Sequence, residues 1–233
     1  MYYYNYYYDT SYFVFMIISV LVAGVAHFKV QSAFNKYSRV KSRSNLTGKN
    51  TAEKLLEHCN ILNIQVEHTR GFFSDYFNPN ARKICLSESV YNQSHISAIS
   101  VAAHETGHAM QYSEGYFPLK LRHALVPITR IGSNLAMPLI IIGFALPAWS
   151  FMVNFGIMLF SLTLIFQLVT LPVEFDASRR ALKYLKNLNI LDESEIYGAK
   201  KVLTAAALTY VASAFTSLLS LVRLILVANN RKK

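Results

Sequence analysis

The chain has 233 residues, 53% of them hydrophobic and 15% charged, with a mean hydropathy of +0.26 and a net charge of +10. Soluble domains carry about 25% charged residues, so the composition excludes an ordinary soluble protein and points to the lipid bilayer. The positive charge comes with no nucleic-acid motif, which leaves membrane topology as its cause.

In chain order, residues 1–10 hold six tyrosines and no lysine or arginine. They lack the basic start and the cleavage site of a signal peptide and read as an interfacial anchor. An uncharged apolar span follows at about residues 12–28, with His27 at its interfacial end. Lys29, Lys36, Arg39, Lys41 and Arg43 then form a positive-inside stop signal. Residues 42–50 read as a polar linker. Thr51 is the expected cap of an amphipathic helix over 52–62, with Leu55, Leu56 and Ile61 facing inward and His58 at the surface. Strands are expected at 64–67 and 82–86 with a loop at 71–79 between them, and Ser94 precedes a helical pattern over 95–112. Cys59 and Cys85 have neither metal-like spacing nor a disulfide framework, as expected of reduced or buried thiols.

The helix over 95–112 contains His104-Glu105-Thr106-Gly107-His108. Residues four apart lie about 40° apart round the helix axis and roughly 6 Å along it, so both imidazoles face one point. That point suits a zinc ion, which binds imidazole nitrogen at about 2.0–2.1 Å. Glu105 lies within roughly 100° of both histidines and reaches a water there without being forced to act as a ligand. Zinc lowers the pKa of such a water to about 7, and a neighbouring carboxylate accepts its proton. The pattern therefore calls for metal-assisted amide hydrolysis. A strand edge beside such a helix would suit pairing with an extended peptide. The competing reading is a chance pair of histidines on an ordinary helix, and a third ligand decides between them.

Pro118 is expected to close this region, and Lys120, Arg122, His123 and Arg130 keep the next stretch polar. Residues 131–173 then contain no charge over 43 positions. That is two membrane helices joined by a turn at Pro147-Ala148-Trp149-Ser150. The hairpin returns the chain to the side it left, where Glu174 emerges as the candidate third ligand. Asp176 is its rival, or a partner that orients a histidine. The alternative is that both carboxylates simply favour a helix N-terminus. Arg179, Arg180, Lys183 and Lys186 follow on an amphipathic helix, and residues 192–195 open the last helix. Its apolar stretch, 202–228, is interrupted by Arg223, which is placed to snorkel.

Three segments carry a family resemblance. They are Val101-Ala102-Ala103-His104-Glu105-Thr106-Gly107-His108-Ala109-Met110-Gln111, Leu171-Pro172-Val173-Glu174-Phe175-Asp176-Ala177-Ser178-Arg179-Arg180-Ala181, and the alanine-rich segment 199–212 around Tyr210. Together they resemble the YugP-like membrane zinc metallopeptidases over about residues 51–227. The resemblance implies a gluzincin-like Zn2+ site with His104, His108 and Glu174 as ligands and Glu105 as general base. Tyr210 is the candidate to stabilise an oxyanion, against the commoner role of a core tyrosine. One departure is Asp75-Tyr76-Phe77-Asn78-Pro79, where the family tends to show Asp-His-Tyr-Asp-Pro; it bears on the loop and not on the zinc ligands.

The expectation is a mainly α integral membrane protein with a zincin-like juxtamembrane catalytic unit, a few short strands and three or four transmembrane helices. Its divisions are an anchor helix (1–30), a metal-binding region (31–130), a helical hairpin (131–173), and a third-ligand helix with a C-terminal membrane helix (174–233). One side receives 19 of the 23 lysines and arginines, which places the metal site at the cytoplasmic face of the cell membrane. The basic tail, Arg231 to Lys233, opposes a fourth crossing. The expected function is a zinc endopeptidase acting on a protein or peptide, with lipid and other membrane proteins as partners and no nucleic acid. A site-2-type intramembrane protease is the first alternative. Ser97, Ser100 and Gln111 on the motif helix and the lack of a later Leu-Asp-Gly weigh against it. A non-catalytic scaffold with a structural zinc is the second, and it predicts that Glu105→Gln is harmless.

Overall fold

The computed structural model describes residues 10–230. The tyrosine-rich anchor up to residue 9 and the basic tail from residue 231 lie outside the described residues. The elements run α1 (Thr10–Tyr37), α2 (Gly48–His58), β1 (Gln65–His68), β2 (Tyr76–Asn78), β3 (Lys83–Leu86), α3 (Ile96–Ser113), α4 (Phe117–Ala145), α5 (Phe151–Asn187) and α6 (Glu193–Asn230), with a single 3-10 turn at Pro147–Trp149. The protein is therefore mainly α. Among the described residues, four helices, α1, α4, α5 and α6, are long and apolar enough to cross a membrane.

The chain divides into two compact units. The first comprises the residues up to 26, 123–168 and those from 211 onward. Here α4 and α5 approach through glycines, as membrane helices do when small residues let backbones meet. A Cβ on Gly156 would fall 2.8 Å from the Ala136 carbonyl oxygen, and one on Gly143 would fall 2.7 Å from the Val153 nitrogen.

The second unit comprises residues 27–122 and 169–210. Its core joins Leu55 and Leu56 of α2, Ile84 and Leu86 of β3, Ile99, Ala102 and Ala103 of α3, and Leu185 of α5. The period-3.6 spacing of the helical members and the period-2 spacing of Ile84 and Leu86 put each set on one face. The sheet order is β1-β3-β2, with β1 parallel and β2 antiparallel to β3. β2 thus occupies an edge.

Several boundaries differ from the sequence reading. The cap of α2 is Thr47, whose side chain accepts the Asn50 N–H, while Thr51 is buried within the helix. α3 begins one residue later than expected, at Ile96, with His95 as its cap: the His95 Nδ1 accepts the Ala98 N–H at 3.1 Å, and burial pushes its pKa down. The expected loop at 71–79 contains β2. Within it Asn78 Oδ1 accepts the N–H groups of Asn80 and Ala81, both at 3.1 Å. An asparagine keeps the acceptor oxygen that an aspartate would offer at this turn. Pro118 opens a helix instead of closing one, since a proline in the first turn forfeits no intrahelical bond.

The largest correction concerns residues 173 and 174. No break separates a hairpin from a third-ligand helix, because α5 runs unbroken for 37 residues through Pro172. Glu174 and Asp176 accordingly lie deep inside a helix, which removes the helix-N-terminus explanation for them. Spanning a bilayer takes about 20 helical residues. The surplus turns of α5 and of the 38-residue α6 belong to the second unit.

Candidate metal centre

Three side chains meet at the middle of the second unit. His104 and His108 come from consecutive turns of α3, with ring centroids 4.8 Å apart. Glu174 comes from the surplus of α5 and is 2% exposed. Its Oε2 lies 3.2 Å from His104 Nε2 and 3.5 Å from His108 Nε2. The three donor atoms fall within 4.8 Å of one another. His27, His58, His123 and Asp176 stand outside this cluster.

The close approach of α3 to α5 depends on Gly107. A Cβ there would lie 2.6 Å from the Ala177 carbonyl oxygen and 3.1 Å from its Cα. Both obstacles are backbone, so no side-chain rotation relieves them. The middle of the His-Glu-x-x-His motif thus admits the helix that carries the third carboxylate.

Each imidazole is held by its other nitrogen. Ser178 Oγ lies 3.1 Å from His104 Nδ1, and Gln111 Oε1 lies 3.0 Å from His108 Nδ1. Gln111 Oε1 is an acceptor, so it selects the tautomer in which His108 Nδ1 carries the proton and Nε2 offers a lone pair. The Gln111 amide in turn donates to the Val173 carbonyl at 2.8 Å and to Asp176 Oδ2 at 3.0 Å. Asp176 is further bound by Arg179 and by Arg180 Nε at 2.5 Å, and Arg180 continues to Glu114 at 2.7 Å. Asp176 is thus joined to His108 through Gln111.

Burial of His108 disfavours its imidazolium, but the hydrogen bond it donates to Glu174 and the charges of Glu105 and Glu174 outweigh this and raise its pKa. The cluster thus attracts positive charge, and a proton competes with a metal cation for it. Arg122 Nη1 sits 3.4 Å from Glu174 Oε1, on the side away from the histidines.

A cavity of about 170 Å³ adjoins the cluster. Glu105, His104, Tyr210, Asp75 and Phe73 all line it. Glu105 is thus beside the cluster and outside it, as the helical wheel requires. Tyr210 stands close to Glu174 and Arg122. Asp75, at the start of β2, accepts the Ser87 N–H at 2.7 Å and the Ser87 hydroxyl at 3.0 Å. Burial pushes its carboxyl up to about 6, against those hydrogen bonds and with help from the charge of Glu105.

Sequence reasoning missed Arg122, Ser178 and the role of Gly107. Ser178 lies four residues after Glu174 and Gln111 three after His108, so helical spacing already put each beside a ligand candidate. Arg122 carried no such signal, because the contact between α4 and α5 is not local.

Comparison with known proteins agrees with this picture. Residues 12–229 match the model of a family described as "Putative neutral zinc metallopeptidase". The chain is 43% identical over 219 residues to "Putative membrane protease YugP" of Bacillus subtilis (strain 168), covering 94% of this chain and 97% of that protein. No solved structure matches it.

Proposed function

The chain belongs to this zinc metallopeptidase family, and from that membership we propose that it is a membrane-embedded endopeptidase whose site works at the cytoplasmic face. The single observation that carries the reading is the convergence of His104, His108 and Glu174 donors within 4.8 Å beside a cavity lined by Glu105. Two imidazole nitrogens and one carboxylate oxygen suit zinc and leave a fourth tetrahedral position for water or substrate. When bound, zinc supplies a Lewis acid that acidifies water and polarises a carbonyl.

The protein's own groups do the rest. His104 and His108 present Nε2 because Ser178 and Gln111 hold their Nδ1 atoms. Glu105 accepts a proton from the attacking water and returns it to the amide nitrogen as the C–N bond breaks. Tyr210, which also lines the cavity, donates its hydroxyl hydrogen to the oxygen on which negative charge develops. β2 offers an edge beside this cavity along which an extended peptide can add as a strand. The cytoplasmic placement follows from the excess of basic residues on the segments that carry the site. The motif helix α3 is not among the apolar spanning helices, which favours a juxtamembrane site over a site-2-type intramembrane one.

The test is metal content and casein hydrolysis by detergent-purified protein, wild type beside Glu105→Gln and Glu174→Ala. About one zinc per chain is expected in wild type and in Glu105→Gln, with activity only in wild type and with zinc lost from Glu174→Ala. Activity retained in Glu105→Gln would refute the assigned base. Zinc held by all three proteins without hydrolysis by any would favour the structural-zinc scaffold.

A further inference from the structure

The second unit holds another concave feature, a groove of about 400 Å³ between the end of α1 and the start of α6. Its walls follow helical spacing. Lys29, Ser32 and Lys36 recur at i, i+3 and i+7 on α1, and Tyr197, Lys201 and Thr204 at i, i+4 and i+7 on α6. The helices come close because Gly198 has no side chain: a Cβ there would lie 2.7 Å from a ring carbon of Tyr37.

Three ammonium groups share this groove without a carboxylate. The lysine ion pairs of the described residues lie elsewhere, at Lys49, Lys83 and Lys186. Lys36 and Lys201 rest instead over the rings of Tyr37 and Tyr197, 5.5 and 5.1 Å from the centroids. Like charges gathered at a low-dielectric boundary repel one another, and an anion between them relieves that repulsion. A second depression on the other flank of α1 shares Ser32 and Lys36 and adds Arg39.

The level of the groove identifies the anion. Toward the membrane, residues 13–28 of α1 and 202–222 of α6 carry no charge, so Lys29 and Lys201 are the last charges before hydrocarbon on both helices. The groove's inner end is apolar, at Phe28 and Leu208. Cationic and hydroxyl groups at the interface above an apolar floor match a phosphate headgroup with its acyl chains.

We propose that this groove binds an anionic phospholipid, with the phosphate among Lys29, Lys36 and Lys201 and the chains along Phe28 and Leu208. Each lysine at such a surface contributes roughly fivefold in affinity, so their joint replacement removes about a hundredfold.

The experiment uses the full-length protein in nanodiscs of phosphatidylcholine doped with phosphatidylglycerol, and reads retained lipid by native mass spectrometry after extraction into detergent. Wild type is expected to retain phosphatidylglycerol in preference to phosphatidylcholine. Lys29→Gln/Lys36→Gln/Lys201→Gln is expected to lose it, while the charge-matched Lys54→Gln/Lys183→Gln/Lys200→Gln keeps it. Replacing the three groove lysines by arginine is expected to restore retention, which separates lost charge from misfolding. Equal retention in the two glutamine variants would overturn the proposal, as would loss from the arginine variant with its helical circular dichroism intact. Displacement of the lipid by glycerol 3-phosphate alone would assign the groove to a soluble phosphate, and displacement by an acidic peptide would assign it to a protein partner; either result overturns it.

Discussion

At the scale of single residues, the chemistry rests on how few side chains are left to orient themselves. His108 is fixed through Gln111 to Asp176 and on to Arg180, so a network four residues long determines one imidazole's tautomer. Asp75 stands in a different position, because its carboxylate is buried near Glu105 with only Ser87 to support it. Its folded pKa of about 6 lies above the ordinary 3.8. For a carboxyl raised on folding, the stabilising contribution is complete below the unfolded pKa and disappears as pH rises through the folded one. Wild type should therefore lose stability between about pH 4 and pH 6 relative to Asp75→Asn, by about 3 kcal/mol for a shift near two units. Chemical denaturation of both proteins across that range checks the sign. Parallel pH profiles would show that Asp75 ionises as freely in the fold as outside it.

The decisive element-scale feature is the crossing of α3 and α5. Glycine inside a helix ordinarily costs about 1 kcal/mol relative to alanine. Gly107→Ala on an open helix would accordingly stabilise. Here the new methyl would meet the Ala177 backbone at 2.6 Å, and overpacking of that kind costs about 1–3 kcal/mol. The clash outweighs the gain. α5 moves away, Glu174 is displaced from the two histidines, and zinc affinity should fall by about tenfold or more, as when ligand-orienting groups are removed. Isothermal titration of zinc into the metal-free variant tests this, and affinity equal to wild type would show that the helices tolerate the methyl without separating. The same scale shows why element existence was easier to read than element extent. The apolar runs of 131–173 and 202–228 announced helices by composition. The polar start of α6 was legible from residues 192–195, but nothing apolar announced that α5 continues into the polar region with the same hydrogen-bond ladder.

For the whole molecule, one apolar helix of spanning length, α4, lies between Lys54 and the turn at Pro147–Trp149, which predicts opposite faces of the membrane for the two. The proposed cytoplasmic side of Lys54 rests on the distribution of lysine and arginine. In a background with Cys59 and Cys85 replaced by serine, Ser150→Cys should react with a membrane-impermeant maleimide on intact cells. Lys54→Cys should react only after lysis. Labelling in the reverse order would invert the topology and place peptide hydrolysis outside the cytoplasm.

Composition, the uncharged runs and the His-Glu-x-x-His spacing together determined that this is a helical membrane protein with two candidate metal ligands and a candidate carboxylate base beside them. These properties are local: a helix places residues three and four apart on one face whatever surrounds it. Gln111, three residues after His108, and Ser178, four after Glu174, obey the same local spacing. Apart from the family resemblance, Glu174 was legible as the first acidic residue after the hairpin, in competition with Asp176. The tertiary structure decided between them, because α5 turns Glu174 toward the histidines and Asp176 toward Gln111, Arg179 and Arg180. It also decided that Arg122 reaches Glu174, that Asp75 faces Glu105, and that Lys29, Lys36 and Lys201 share one groove. Those contacts join segments far apart in the chain, and only close packing of helices, permitted at Gly107 and Gly198, brings them together.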